Sequence, residues 1–368
     1  MRKTQVALAA LALMASTAAL ADGVTISGQM DVGVFNTGTD NNGAGGTFIE
    51  QGGMLDHSSI TFNVSEDLGG GMKAFATLEA GFNANGYFDN GNGPVQGGAQ
   101  RVFNRQSLIG LSGDFGTIGL GKQLSPFILT AALTNGGFGT FWVPRLMVGN
   151  GSAAGGAFAA GGTGLNGSGF FISNSVMYTS PSVGGWSLQA MTTTKTGTYD
   201  NKLGFATASA GPTAGNDADK YTSFSLSGNL GPAFLAAAWQ DRGGGTGVGY
   251  KSYTVGGTMP LVGDLSGFGS YMSDKQDGAT ALASYALGVK YALNAATALQ
   301  VGYSANDASG NSEMTLTNLA LMHSLSKRTT VYATAGRGKN VGSAIGNWKN
   351  DYSGLTNNTY GVGVAHSF

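Results

Sequence analysis

The sequence predicts an all-β fold, a transmembrane antiparallel β-barrel of sixteen strands. Three observations carry that reading. Apolar and polar residues alternate with period two along most of the chain. The breaks between alternating runs are short and long by turns. Beyond the N-terminal segment, no apolar run reaches the ~18 residues that a membrane-crossing helix needs.

The elements follow in order. Arg2 and Lys3 precede an apolar run from Val6 to Ala15, and Ala19-Leu20-Ala21 is a small-residue cleavage site. Residues 1–21 therefore read as a secretory signal peptide, and residues 22–368 as the barrel. The first strand is Val24 to Val34: Val24, Ile26, Met30, Val32 and Val34 share one face, Thr25, Ser27, Gln29 and Asp31 the other. The alternation returns at Ile60/Phe62/Val64, Trp186/Leu188/Ala190, Phe224/Leu226, Tyr285/Leu287/Val289/Tyr291 and Leu299/Val301/Tyr303. It closes the chain at Tyr360/Val362/Val364/His366/Phe368.

Short breaks rich in turn residues sit at 67–71, 113–116, 181–185, 229–232, 260–264, 293–296 and 325–328. Longer polar connections run over 36–56, 83–103, 125–172, 195–219, 242–249, 275–280, 307–313 and 339–356. Seven short and eight long connections imply sixteen strands, and connections this short make neighbours antiparallel. A sheet that turns an apolar face to lipid has no water to satisfy its edges, so it must close. Strict short/long alternation matches short periplasmic turns and long extracellular loops. Tyr271, Tyr285, Tyr291, Tyr303, Trp186 and Trp239 near strand ends suit an interfacial girdle.

Composition narrows the function. Glycine, 64 of 368 residues, is about 17% against a usual ~7%, and charged residues are 11% against ~25%. The glycine suits curved strands and long loops. With 19 basic against 20 acidic residues, nucleic acid is not an expected partner. The absence of cysteine excludes disulfides, thiolate metal sites and thiol nucleophiles, and three histidines leave little for a metal centre. No cofactor and no catalytic motif is expected.

Several stretches resemble a known family. They are Glu66-Asp-Leu-Gly-Gly-Gly-Met-Lys-Ala74 with Leu78-Glu79, Phe103-Asn-Arg-Gln-Ser-Leu-Ile-Gly-Leu111, Phe115-Gly-Thr-Ile-Gly-Leu-Gly-Lys-Gln123, and the ending His366-Ser-Phe368. The mature chain is similar to the Gram-negative general porins, and within them to the beta-proteobacterial trimeric branch. The resemblance implies an outer-membrane homotrimer that passes ions and small hydrophilic solutes. It implies that Phe368 is the signal read by the barrel-assembly machinery, and that lipopolysaccharide and other outer-membrane lipids surround the barrel. It also implies that the third long loop, about 125–172, folds inward as a constriction loop.

That loop holds one charge, Arg145, and no Asp or Glu. Family loops usually face acidic residues toward an arginine ladder, and the ladder is thin here too. Arg105 matches a ladder position and is expected to point inward with Ser107. Lys122 stands where the family usually has Arg, and Ser59 where another Arg would be expected. The pore-constriction candidates are thus Arg105, Lys122, Arg145 and Lys73, against Asp31 and Glu79. They suggest weak selectivity with a slight anion preference. Loss of Arg2 and Lys3 would leave 17 basic against 20 acidic residues, a net charge of −3 that favours cations at the mouths.

Other signals have plainer readings. Gly116-x4-Gly121-Lys122 resembles the start of a phosphate loop, but Gln123 follows and the segment reads as strand. Asp40, Asp89, Asp217 and Asp219 in long loops could bridge divalent cations to lipopolysaccharide, yet show no ligand spacing. His323 and His366 sit in strands without a spaced acidic partner. The apolar stretch Phe127 to Leu133 with Phe138, Phe141 and Trp142 has two readings. It packs the loop on the wall, or it forms an aromatic slide in a substrate-selective channel; a loop-mediated adhesin or receptor is the further alternative.

Overall fold

Residues 23–39, 46–50, 55, 58–82, 102–134, 171–193, 221–242, 250–277, 280–306, 315–339 and 356–368 are described by the computed structural model. The strands are β1 (Gly23–Thr39), β2 (Gly46–Glu50), β3 (Ser59–Gly69), β4 (Met72–Gly81), β5 (Gln106–Gly113) and β6 (Gly116–Leu124). A short helix, α1 (Pro126–Leu133), follows. Then come β7 (Phe171–Thr179), β8 (Trp186–Thr193), β9 (Tyr221–Leu230), β10 (Ala233–Arg242), β11 (Tyr250–Pro260) and β12 (Leu265–Gln276). The last are β13 (Leu282–Ala292), β14 (Thr297–Asn306), β15 (Thr315–Ser324), β16 (Thr329–Lys339) and β17 (Thr356–Ser367).

From β3 to β17 each strand pairs antiparallel with the next, and β1 pairs with both β3 and β17. The sheet is a closed barrel of sixteen strands, with all seven short turns at one end. Two details differ from the sequence reading. Part of the first long connection, 36–56, is strand: β1 runs on to Thr39, and β2 pairs with its upper half over Gly33–Thr37. The chain is not purely β either, since α1 opens the third long connection.

The apolar faces point outward. Val24 and Ile26 on β1 and Ile109 on β5 are 61%, 57% and 61% exposed, as lipid-facing side chains of a barrel must be. An aromatic belt crosses six consecutive strands on that face: Phe224 stacks on Trp239, Tyr253 meets Tyr271, and Tyr285 meets Tyr303. The turn from β3 to β4 needs positive φ at Gly69, Gly70 and Gly71, which explains the triple glycine after Leu68.

The seam between β1 and β17 is closed at both levels. The Gly28 amide donates to the Phe368 carbonyl at 3.2 Å, and the Phe368 amide donates back to Gly28 at 2.9 Å. Higher up, the fully buried ring of Phe35 lies against Gly361, where an added Cβ would come within 1.8 Å of it. Large and small residues thus face each other across the seam.

Gly361→Ala should overpack the seam and lower the stability of the barrel refolded in vesicles by about 1–3 kcal/mol, read from its urea midpoint. Combining it with Phe35→Ala should recover part of that loss; a pair that is simply additive would mean the two residues do not pack as described.

Candidate functional site

Strand alternation puts β1 residues such as Asp31 and Phe35 on the inner face, with Thr61 of β3 and Thr77 and Glu79 of β4. On the opposite side of the barrel the inner face carries two neighbouring rows. The register sets Gln240, Ser252 and Asp274 in one row across β10, β11 and β12, and Ala238, Thr254 and Met272 in the next.

α1 lies over the second row. Phe127, Ile128 and Ala131 are buried in one cluster with Ala238 and Met272. The sequence starts a helix here because Ser125 caps it, accepting the Ile128 amide on Oγ at 3.4 Å, and because Pro126 takes the first helical position. It stops at Thr134, whose hydroxyl donates to the Thr130 carbonyl at 3.0 Å. The root of the third long connection therefore sits inside the barrel, packed on its wall. Of the two readings for Phe127 to Leu133, wall packing is the one its buried side chains support. Phe138, Phe141, Trp142 and Arg145 lie outside the described residues, as do Asp40, Asp89, Asp217 and Asp219.

The charged candidates divide by position. Arg105 and Glu79 form one cluster at the long-loop end: the Arg105 guanidinium is ion-paired to a Glu79 carboxylate oxygen and sits 4.7 Å from the centre of the Phe171 ring. Gln106 Nε2 donates to the other oxygen at 2.6 Å, and the Arg105 amide donates to the Glu79 carbonyl at 3.2 Å. Arg105 thereby ties β4 and β5 to the residue at which β7 begins. Its charge is largely cancelled at close range.

Asp31 has a different setting. It is fully buried where β1 has left β3 and not yet met β2. The Leu55 amide donates to Oδ2 at 2.6 Å and the Tyr332 hydroxyl to Oδ1 at 2.7 Å. Its own amide donates to Ser58 Oγ at 3.0 Å. The carboxylate closes a gap in the sheet, a role the alternation pattern gave no sign of.

Lys73 is exposed and lies at the short-turn end, opposite Asp67. That is about 20 Å along the strand from Glu79 at ~3.3 Å per residue. The register pairs Lys122 with Ser107, in the row that continues through Ile109–Leu120 and Leu111–Ile118. Ile109 and Leu111 are among the exposed outward side chains. Ser107 is therefore on the lipid-facing side, against the inward expectation, because the ladder motif begins one residue before the regular strand does. Gly116 to Gln123 is strand throughout, which leaves no phosphate loop.

His323 and His366 each share a hydrogen bond at 2.9 Å with a threonine, Thr297 and Thr329. Among the described residues, no group of three or more metal-binding side chains converges. What the sequence reading missed is a line of neutral polar residues joined to Asp274. Ser125, Tyr221, Gln240, Ser252 and Asp274 are all buried and hydrogen-bonded in series. Period-two polarity places Tyr221, Gln240, Ser252 and Asp274 on the inner face; their alignment across four strands depends on register.

Comparison with known proteins agrees with this geometry. The Gram-negative porin family matches residues 7–343. Outer membrane porin protein 32 of Delftia acidovorans is 29% identical over 337 residues, covering 90% of this chain and 88% of that protein. An anion-selective porin from Comamonas acidovorans shares the fold with a TM-score of 0.66 at 23% identity, covering 94% and 99% of the two chains. The trimer form of OmpT from Vibrio cholerae does so with a TM-score of 0.58 at 15% identity, covering 94% and 99%.

Asp31→Asn should place an amide NH2 against donors and weaken the sheet. The expected loss is about 1.5–3 kcal/mol, seen as a lower thermal or urea midpoint, with an unchanged reversal potential in bilayers. A shifted reversal potential at unchanged stability would instead put this carboxylate in contact with the ion path.

Proposed function

This chain belongs to the Gram-negative porin family, and we propose that its water-filled channel is narrowed by segment 125–172 and only weakly selective for charge. The protein is an outer-membrane porin for passive diffusion of ions and small hydrophilic solutes. A polar lumen with a constriction is sufficient for that task. The observation that carries the selectivity reading is the pairing of Glu79 with Arg105, which spends the principal charges near the narrowing on each other. The 125–172 segment adds Arg145 and no carboxylate, so the remaining bias at the eyelet is slightly anionic. The relative from Comamonas acidovorans is itself anion-selective.

The same reading holds the chain to be a homotrimer, exported through cleavage after residue 21 and assembled through Phe368. It is surrounded by lipopolysaccharide and outer-membrane lipids, and it carries no catalysis and no cofactor. A trimer form of a protein with this fold supports the first point. The anchoring of Phe368 to Gly28 supports the last strand as the closing step of assembly. Arg145, in the 125–172 segment, acts on ions in transit; Lys73, at the short-turn mouth, and Lys122, in the outward row with Ser107, stand away from the paired centre.

Purified protein in a planar bilayer under a tenfold KCl gradient should show conductance steps in groups of three and a small anion-directed reversal potential. Glu79→Gln should enlarge the anion bias by releasing the Arg105 charge, and Arg105→Gln should reverse it. If neither variant moves the reversal potential, the pair is not at the eyelet. No conductance steps at all would overturn the channel reading.

A further inference from the structure

The buried line of polar side chains runs in one direction. Tyr221 Oη donates to Gln240 Oε1 at 3.0 Å, Gln240 Nε2 to Ser252 Oγ at 3.2 Å, and Ser252 Oγ to Asp274 Oδ1 at 2.6 Å. With its proton committed to Gln240, Tyr221 Oη accepts from Ser125 Oγ at 2.5 Å. Ser125 also accepts the Ile128 amide and so caps α1. The line begins at the cap of the helix that roots the long loop, crosses β9, β10 and β11, and ends on a carboxylate of β12. An ionised Asp274 can only accept, so it sets the direction of every bond before it.

The anchoring has a polar part and an apolar part, which are adjacent. Gln240, Ser252 and Asp274 are direct cross-strand partners, and the next inner row holds Ala238 and Met272, against which Phe127, Ile128 and Ala131 pack. The apolar contacts hold the helix on the wall, but they are non-directional and let it slide. The hydrogen bonds fix where it stops. We propose that Asp274 is a positioning residue for the pore: its carboxylate orients the relay that locks Ser125 and α1 at one place on the inner wall. This rests on the reading of 125–172 as the constriction.

The surroundings make Asp274 the group on which the lock depends. On β11 it faces Ser252, and on β13 its register partner is Leu282. α1 carries no charge, and Tyr221 is the relay's other titratable group. Arg242 occupies the register position opposite Tyr221 on β10. Lys251 and Lys275 are register partners on the outward face, and Asp241 pairs with Lys251 at 3.8 Å. A protonated Asp274 gains an O–H donor while keeping an acceptor oxygen, so the end of the relay no longer dictates its direction. The relay can then run either way, with the Gln240 amide turned over in the reversed form, and Ser125 is no longer held by a single arrangement.

The test is single-channel recording of wild type, Asp274→Asn, Asp274→Glu and Tyr221→Phe at pH 7 and pH 3.5. Wild type should hold one steady open level at pH 7 and break into fluctuating levels in acid. Asp274→Asn and Tyr221→Phe should fluctuate at both, and Asp274→Glu should restore the wild-type pattern. Asp31 and Glu79 are also carboxylates, so the deciding quantity is the difference between wild type and Asp274→Asn across the two pH values. If Asp274→Asn keeps a steady level and the full acid response, the proposal is overturned. Should that variant not fold, Tyr221→Phe, which loses one oxygen and no charge, decides the matter. Steady channels from every variant would refute the lock and leave the porin reading intact; no channels from wild type would refute both.

Discussion

A backbone amide or carbonyl in hydrocarbon has no water to bond, and the whole molecule follows from that. The sheet has to close, so one strand must take partners on both edges, and here it is β1. β1 is also where closure is hardest, because β3 covers its lower part, β2 its upper part, and neither reaches the stretch between them. Asp31 stands in that stretch and accepts the hydrogen bonds that a neighbouring strand would otherwise make. A carboxylate can be buried here because it has donors on both oxygens; without them its desolvation would be prohibitive.

Closure also decides what the inner face can be. Among the described residues, the inner rows hold Ser, Thr, Gln and small side chains with few charges, and the buried carboxylates among them are engaged. Glu79 is bound by Arg105 and Gln106, Asp274 by Ser252, and Asp31 by Tyr332 and Leu55. Each carboxylate serves the wall, holding strands or the helix root in place. The described part of the inner wall therefore presents mainly hydroxyls and amides.

The fold was legible because its signals are local and repeated. Period two is read within one strand, and the short/long alternation of breaks is read without knowing any contact. Sixteen barrel strands and seven short turns follow from these alone. The short β2 was not legible, because Gly46 to Glu50 is bounded by polar loop sequence and takes its pairing from β1. The site was legible only in part. Arg105 and Glu79 stand in recognisable motifs, but their pairing spans the gap between β4 and β5 and joins Phe171, beyond the longest loop. Ser107 was misplaced because motif spacing and strand register start at different residues. Asp274, in an unremarkable Ser-Asp-Lys run, had no local mark at all.

The two ways of holding the long loop's ends differ in their electrostatic consequence. Phe171, where the segment returns, is gripped by a guanidinium whose counter-charge is adjacent, so the pair is neutral within one contact. Ser125, where it leaves, is held through four hydrogen bonds in series, by way of three neutral side chains, to the carboxylate of Asp274. A lone buried charge is stabilised only while its hydrogen bonds are in place, and those bonds are oriented only while the charge is present. The departing end is thus coupled to one ionisation, while the returning end is insulated from its own by pairing. That asymmetry makes α1, and not the Arg105 cluster, the end of the long loop whose placement follows a change in wall charge.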